Sequence, residues 1–132
     1  MEKTLVLIKP DGMKNIGYIL EIFYKNNLKI DEFKIMRLDD EILAEHYAHV
    51  ADKPFYPDMR DFMKSSSIAA MILVGDNAVD KVREIIGCTD PALASKGTVR
   101  YLYGTDKTKN AVHASDSAEN ALVEIERFFK RR

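Results

Sequence analysis

Asn110-Ala111-Val112-His113-Ala114-Ser115-Asp116-Ser117 decides how this chain is read. Two small apolar residues lead to a histidine, and a run of small polar residues then opens the last helix. Asp116 has the chemistry of an N-cap, and Glu119 three residues on completes a capping box. Ala118, Ala121, Leu122, Ile125, Phe128 and Phe129 follow at the spacing of an amphipathic helix. His113 therefore lies between the end of a predicted strand and a helix N-terminus, whose free N–H groups and partial positive charge favour phosphate. A histidine beside such a backbone is a candidate nucleophile for phosphoryl transfer. Taken by itself, the same spacing is equally that of a histidine that only packs or hydrogen-bonds ahead of a capped helix.

Upstream, Thr4-Leu5-Val6-Leu7-Ile8 is a nearly continuous apolar run, the pattern of a central strand buried on both faces. Pro10-Asp11-Gly12 stops it with turn chemistry, leaving Lys9 at the strand's edge. Ile16, Ile19, Leu20 and Phe23 predict a helix over about 17–27, and Ile30 to Leu38 a second strand with imperfect alternation. Asp39 or Asp40 caps a helix running to about His49; a short helix follows from Tyr56-Pro57 to Phe62-Met63. Ile68 to Val74 is a third strand, and Val79, Val82, Ile85 and Ile86 mark a helix closed by Gly87. From Gly87 to Lys109 there is little periodicity, and a structureless segment of that length is usually functional.

With 132 residues, 46% of them hydrophobic, the chain has the length of one domain spanning 1–132. Twenty basic residues against 21 acidic ones leave a net charge of −1, so no general field favours nucleic acid or an anionic membrane. Neither partner is expected. The lone Cys88 forms no intramolecular disulfide and fits a reducing compartment. The N-terminus lacks a signal-peptide pattern and no apolar run reaches membrane length, so a soluble, cytoplasmic protein is expected. His46 and His49, with Glu45 beside them, could share a metal, but zinc sites need three or four ligands and spacing offers no third; no protein metal site is expected. Lys130-Arg131-Arg132 reads as a basic tail complementing the last helix dipole.

The octapeptide at 110–117 resembles the active-site segment of the nucleoside diphosphate kinases, Asn-x-x-His-[Gly/Ala]-Ser-Asp-Ser, and Lys9-Pro10-Asp11-Gly12 resembles a second segment of that family. Glu45-His46-Tyr47 followed by Lys53-Pro54-Phe55 resembles its nucleotide-base clamp, and the likeness runs in order from Thr4 to Phe129. The resemblance implies an α+β fold: a four-stranded antiparallel, ferredoxin-like sheet with helices packed on it. Strand–helix–strand order alone would suggest a parallel sheet.

The resemblance also implies roles. Phe55 would stack the base with Met59 beneath it, and Tyr47 would support the phosphates or the histidine. Lys9 and Asn110 would lie near the ribose and phosphates, with Arg83, Thr89 and Arg100 holding the phosphates. Arginine suits this, since its planar fork donates two hydrogen bonds to phosphate oxygens. Glu124 and Ser115 would support His113, although spacing alone reads Glu124 as a solvated acid. The implied activity moves the γ-phosphate of a nucleoside triphosphate, typically ATP, to a nucleoside diphosphate by a ping-pong mechanism through phosphohistidine at His113, on Nδ1. Mg²⁺ would be held mainly by substrate phosphates, and the assembly would be a homo-oligomer, hexamer or tetramer. A passive nucleotide-binding module and a protein-histidine phosphotransfer carrier are the competing classes; the carrier has no need of Phe55, Arg83, Thr89 and Arg100 together. The chain departs from the family pattern in a shorter connection between Gly12 and Gly17, in Tyr101-Leu102-Tyr103 where Gly-Asp-Phe is usual, and in ending soon after Phe129. None of these removes a catalytic residue; they bear on subunit contacts.

Overall fold

The computed structural model describes residues 1–130; Arg131 and Arg132 of the basic tail lie outside the described residues. Strand β1 (Glu2–Ile8) is followed by helix α1 (Ile16–Lys25), strand β2 (Lys29–Met36), helices α2 (Asp40–His46) and α3 (Tyr56–Lys64), and strand β3 (Ile68–Gly75). Helices α4 (Ala78–Ile86) and α5 (Val99–Tyr103), strand β4 (Val112–Ala114) and helix α6 (Ala118–Ile125) complete the order. The strands form one sheet in the order β2-β3-β1-β4, and every neighbouring pair is antiparallel.

The continuous apolar run of β1 has a direct cause. Val6 and Ile8 face one layer, packed with Phe23 of α1 and Val82 of α4. Leu5 and Leu7 face the other, packed with Ile42 of α2, Ile125 of α6 and Phe128. Both faces of the strand are covered, so no polar alternation appears. The imperfect alternation of β2 comes from a register shift between Ile30 and Glu32 against β3, which puts an extra residue into this edge strand. Phe33 and Ile35 remain exposed on it.

Four local expectations are corrected. Ser117, not Asp116, is the N-cap of α6: it has extended backbone and its side chain accepts from the amide of Asn120, while Asp116 takes the Asn120 side chain instead. The helix starts at Ala118, so Glu119 is too early to close a capping box. Helix α2, capped by Asp39, ends at His46 and gives way to a separate 3-10 turn at Ala48–Val50. The segment between Gly87 and Lys109 is not structureless, for it holds a 3-10 turn at Pro91–Leu93 and α5. Gly87 explains why these pack so closely: at φ +87°, a Cβ there would lie 2.6 Å from Thr98 Oγ1. Among the described residues no helix is long and apolar enough to cross a membrane.

Candidate active site

The site begins where β1 runs into the turn at Pro10–Asn15. Lys9 donates its backbone N–H to the carbonyl of Ala111 at 2.9 Å, and the Ala111 N–H donates to Asp11 Oδ2 at 2.9 Å. Both polar groups of Ala111 are thus pinned, which holds the residue at φ +74°, a conformation that side chains disfavour by roughly 1–2 kcal/mol. Only glycine fits at position 12, because a Cβ would sit 2.4 Å from the Ala111 carbonyl oxygen. The kink ends the incoming loop at Asn110 and starts β4 at Val112.

Lys9 is buried, with 6% of its surface exposed, where an edge lysine is ordinarily solvated. Its ammonium donates to Asn110 Oδ1 at 2.8 Å and to the Thr108 carbonyl at 3.1 Å. Burial, with the Arg100 charge in support, pulls its pKa down to about 8. The amide of Asn110 donates in turn to the carbonyls of Thr89 at 3.0 Å and Lys107 at 3.1 Å. One hydrogen-bonded chain therefore ties the end of β1, the loop before β4 and the loop after α4.

His113 stands in the middle of β4, opposite Leu7 of β1. Its Nε2 lies 3.1 Å from Glu124 Oε1, which also accepts from the Ser115 hydroxyl at 2.6 Å. Burial would push the Glu124 carboxyl up, but hydrogen bonds and charge from His113 and Ser115 outweigh it, so the group titrates below its ordinary value. An ionised carboxylate only accepts, so Nε2 carries the proton and Nδ1 carries the lone pair. Glu124 is held here and is not a solvated acid. His46 flanks the pair: its ring meets that of His113 edge-on at 4.5 Å, and its Nδ1 lies 4.0 Å from Glu124 Oε2. Tyr47 packs on His46 at 4.8 Å, and burial, with the Glu124 charge, raises its hydroxyl pKa.

Arg100 reaches from α5 to donate to the Gly87 carbonyl at 3.1 Å and the Val112 carbonyl at 3.0 Å, while its Nε is buried without a partner among the described residues. Burial and the neighbouring Arg83 charge lower its pKa to about 10. Arg83 and Thr89 are exposed, and Thr89 is joined to the site through its carbonyl. Phe55 and Met59, with Asp58 and Phe62, form one side of a cleft of about 700 Å³ whose other side is the segment 106–109. That segment is the one Lys9 and Asn110 hold, so the cleft adjoins the His113 region through Thr108 and Asn110. Phe55 is 53% exposed, a ring with an open face.

The sequence-predicted residues thus fall into two adjoining groups, Phe55 and Met59 on the cleft and Lys9, Asn110, His113, Ser115 and Glu124 around β4, with Arg100, Tyr47, Arg83 and Thr89 bordering the latter. Of the His46–His49 pair, His46 ends α2 and His49 lies in the Ala48–Val50 turn beyond it. His46, His113 and Glu124 do bring donor atoms within 4.8 Å of one another. A cation fits poorly there, because the Arg127 guanidinium already donates to His46 Nδ1 at 2.8 Å. Asp11 reads in sequence only as part of a turn within the family-like segment, and Arg127 gives no signal in spacing; only the fold brings them to Ala111 and His46.

The sequence model of the family described as "Nucleoside diphosphate kinase" matches residues 2–132. The nucleoside diphosphate kinase of Acetivibrio thermocellus is 44% identical over 131 residues, covering 98% of this chain and 96% of that protein. That of Staphylothermus marinus is 47% identical, covering 98% and 93%. Among solved structures, the Aquifex aeolicus nucleoside diphosphate kinase superposes with a TM-score of 0.92 at 40% identity, covering 97% of this chain and 94% of that one. A halophilic nucleoside diphosphate kinase from Halobacterium salinarum, solved in complex with CDP, superposes with a TM-score of 0.92 at 39% identity, covering 97% and 87%. With the four-stranded antiparallel sheet and the residues gathered around His113, these likenesses establish that the chain belongs to the nucleoside diphosphate kinase family.

Proposed function

We propose that this chain, as one domain over residues 1–132, moves the γ-phosphoryl group of a nucleoside triphosphate to a nucleoside diphosphate through a covalent intermediate on His113. One observation carries this reading: Glu124 holds His113 at Nε2 and so reserves Nδ1 as the nucleophile. The base lies in the cleft against Phe55, with Met59 beneath it; the phosphates run towards Lys9, Asn110, Arg83, Thr89 and Arg100. In the first half-reaction the Nδ1 lone pair of His113 forms a bond to the γ-phosphorus. The bond to the β–γ bridging oxygen breaks, and the diphosphate departs with that electron pair. The ring becomes a phosphorylated imidazolium that keeps its Nε2 proton, and the Glu124 carboxylate faces the new charge. In the second half, a terminal oxygen of another diphosphate takes the phosphoryl group and His113 is neutral again. Fixed positive groups favour this step because negative charge spreads over the phosphoryl oxygens in the transition state.

The chemistry of the donor set bears on Mg²⁺. A hard cation wants oxygen ligands, and the acid beside the nucleophile, Glu124, is committed to His113 and Ser115. Mg²⁺ would therefore be held mainly by substrate phosphate oxygens, and when bound it would supply positive charge to the transferring group. Stacking on Phe55 recognises a base's face, so several nucleotides are accepted. The exposed Phe33 and Ile35 on edge strand β2 support a homo-oligomer, hexamer or tetramer, since apolar residues on an open edge invite another chain. A lone exposed cysteine supports a cytoplasmic location.

The test is incubation with γ-labelled ATP and Mg²⁺. Acid-labile label on the protein that chases onto GDP or UDP is expected. No label would point to a passive nucleotide-binding module, and label that moves only to another protein would point to a phosphotransfer carrier.

A further inference from the structure

Behind His113 lies a second layer that the reaction as written does not use. Arg127, one turn after Glu124 in the π-helical turn Glu126–Lys130, grips two consecutive residues of α2. Its Nε donates to Glu45 Oε2 at 2.7 Å and its Nη1 approaches His46 Nδ1 at 2.8 Å. A guanidinium has no lone pair to offer, so Nδ1 of His46 must accept. His46 is then the neutral tautomer with its proton on Nε2, an atom that is buried without a partner among the described residues.

We propose that Arg127 and His46 are positioning residues for phosphoryl transfer: the guanidinium holds His46 as an uncharged ring, and this keeps the Glu124 carboxylate for His113. Two distances give the reason. A proton on His46 Nδ1 would sit about where Arg127 now points, with Glu124 Oε2 only 4.0 Å away. That cation would draw the carboxylate from His113 Nε2 and Ser115. It would also stand against a ring 4.5 Å distant that must itself become positive on phosphorylation. Arg127 does not bring the same penalty, because Glu45 neutralises it.

Most of the charged groups facing His46 oppose a proton on it, and one favours it. Glu124 of α6 favours a charged His46, whereas His113 of β4, His49 of the Ala48–Val50 turn and Arg127 oppose it. Tyr47 and Phe128 contribute ring edges without charge. Burial is the largest influence, and the balance holds His46 well below the ordinary histidine range. Removing Arg127 deletes one opposing charge and the one bond that requires a bare Nδ1.

This inference rests on His113 being the nucleophile. If that reading fails, the native chain takes no label, takes it on a residue other than His113, or does not pass it to a nucleoside diphosphate; if only this one fails, the native chain labels His113 and discharges normally while the variants below do not behave as described. The experiment measures the single-turnover rate of acid-labile labelling by γ-labelled ATP from about pH 5.5 to 9, a range that spans imidazole titration. Arg127→Met keeps the apolar stem and removes the guanidinium. It is expected to label within about threefold of the native rate at the alkaline end, with its acid limb moved up by about one pH unit, an approximately tenfold loss below both limbs. Arg127→Met with His46→Gln, which has no group to titrate there, is expected to return the limb to its native place. Equal loss at every pH, an unmoved limb, or a shift that His46→Gln does not reverse would overturn the proposal. A measurement on the native chain stands apart from variant folding: imidazole ¹⁵N shifts of His46 should show a bare Nδ1 and a protonated Nε2 near pH 6, and a proton on Nδ1 would overturn it.

Discussion

Lys9 gives the most quantitative prediction. Its ammonium is buried, and its pKa falls from the ordinary 10.5 to about 8. The folded chain therefore releases this proton about 2.5 pH units before the unfolded chain does, which corresponds to about 3 kcal/mol. The sign is fixed by which state holds more protons. Between pH 8 and 10.5 the unfolded chain keeps the Lys9 proton and the folded chain loses it, so this residue's contribution to stability rises with pH. Below about 8 the full cost of burying the charge is present; above about 10.5 it has vanished. Lys9→Met has no such titration. The difference in unfolding free energy between the native chain and Lys9→Met, from urea melts, should grow by about 2 kcal/mol in favour of the native chain between pH 8 and 9.5. Substrate phosphates should reverse the effect, because their charge stabilises the ammonium. Binding of a nucleoside diphosphate near pH 9 should then take up close to one proton, read by calorimetry in buffers of different ionisation enthalpy, and Lys9→Met should take up none. A stability difference that stays flat with pH would refute the reasoning, since a solvated lysine has no folded-state shift to lose.

Other predictions address the remaining parts. Glu124→Gln removes a charge-assisted hydrogen bond worth about 1.5–3 kcal/mol and should slow phosphorylation of His113 by roughly 10- to 100-fold, whereas Ser115→Ala, losing a neutral donor, should slow it about fivefold; the reverse order in stopped-flow labelling would contradict the arrangement. Phe55→Ala should raise KM about 5- to 100-fold, by similar factors for purine and pyrimidine substrates, as loss of one stacking face demands; a change confined to one base would mean that edge contacts govern binding. Gly12→Ala drives a methyl to 2.4 Å from the Ala111 carbonyl and should cost about 1–3 kcal/mol in a urea melt. A loss under about 0.5 kcal/mol would mean that the turn and β4 are not held together there.

The legible parts of the sequence were those where one local pattern had one physical cause. Thr4–Ile8 reads as a central strand because both its faces are covered, and Gly87 reads as a helix end because its backbone is left-handed. Strand direction has no local signature: the antiparallel pairing of β1 with β3 joins residues about seventy positions apart, and only likeness to a family suggested it. Asp116 and Ser117 are both good caps, and the choice depended on where β4 releases the chain. Glu124 sits at the edge of an apolar stripe and reads as a surface acid; it is partly buried and held because His113 and Ser115 lie opposite it. Lys9 carries no sign of burial in its own neighbourhood, since its cover comes from Thr108 and Asn110. Arg127 is the extreme case. Its partners Glu45 and His46 are about eighty residues away, so no spacing could have joined them.

The central claim is that Glu124 holds one nitrogen of His113 and leaves the other to take the phosphoryl group. The direct measurement is ³¹P–¹⁵N correlation NMR on the chain after brief exposure to ATP and Mg²⁺. A single phosphohistidine with phosphorus on Nδ1 of His113, lost on addition of GDP, is the predicted result. Phosphorus on Nε2, phosphorus on another residue, or a phosphohistidine that GDP does not discharge would contradict the account.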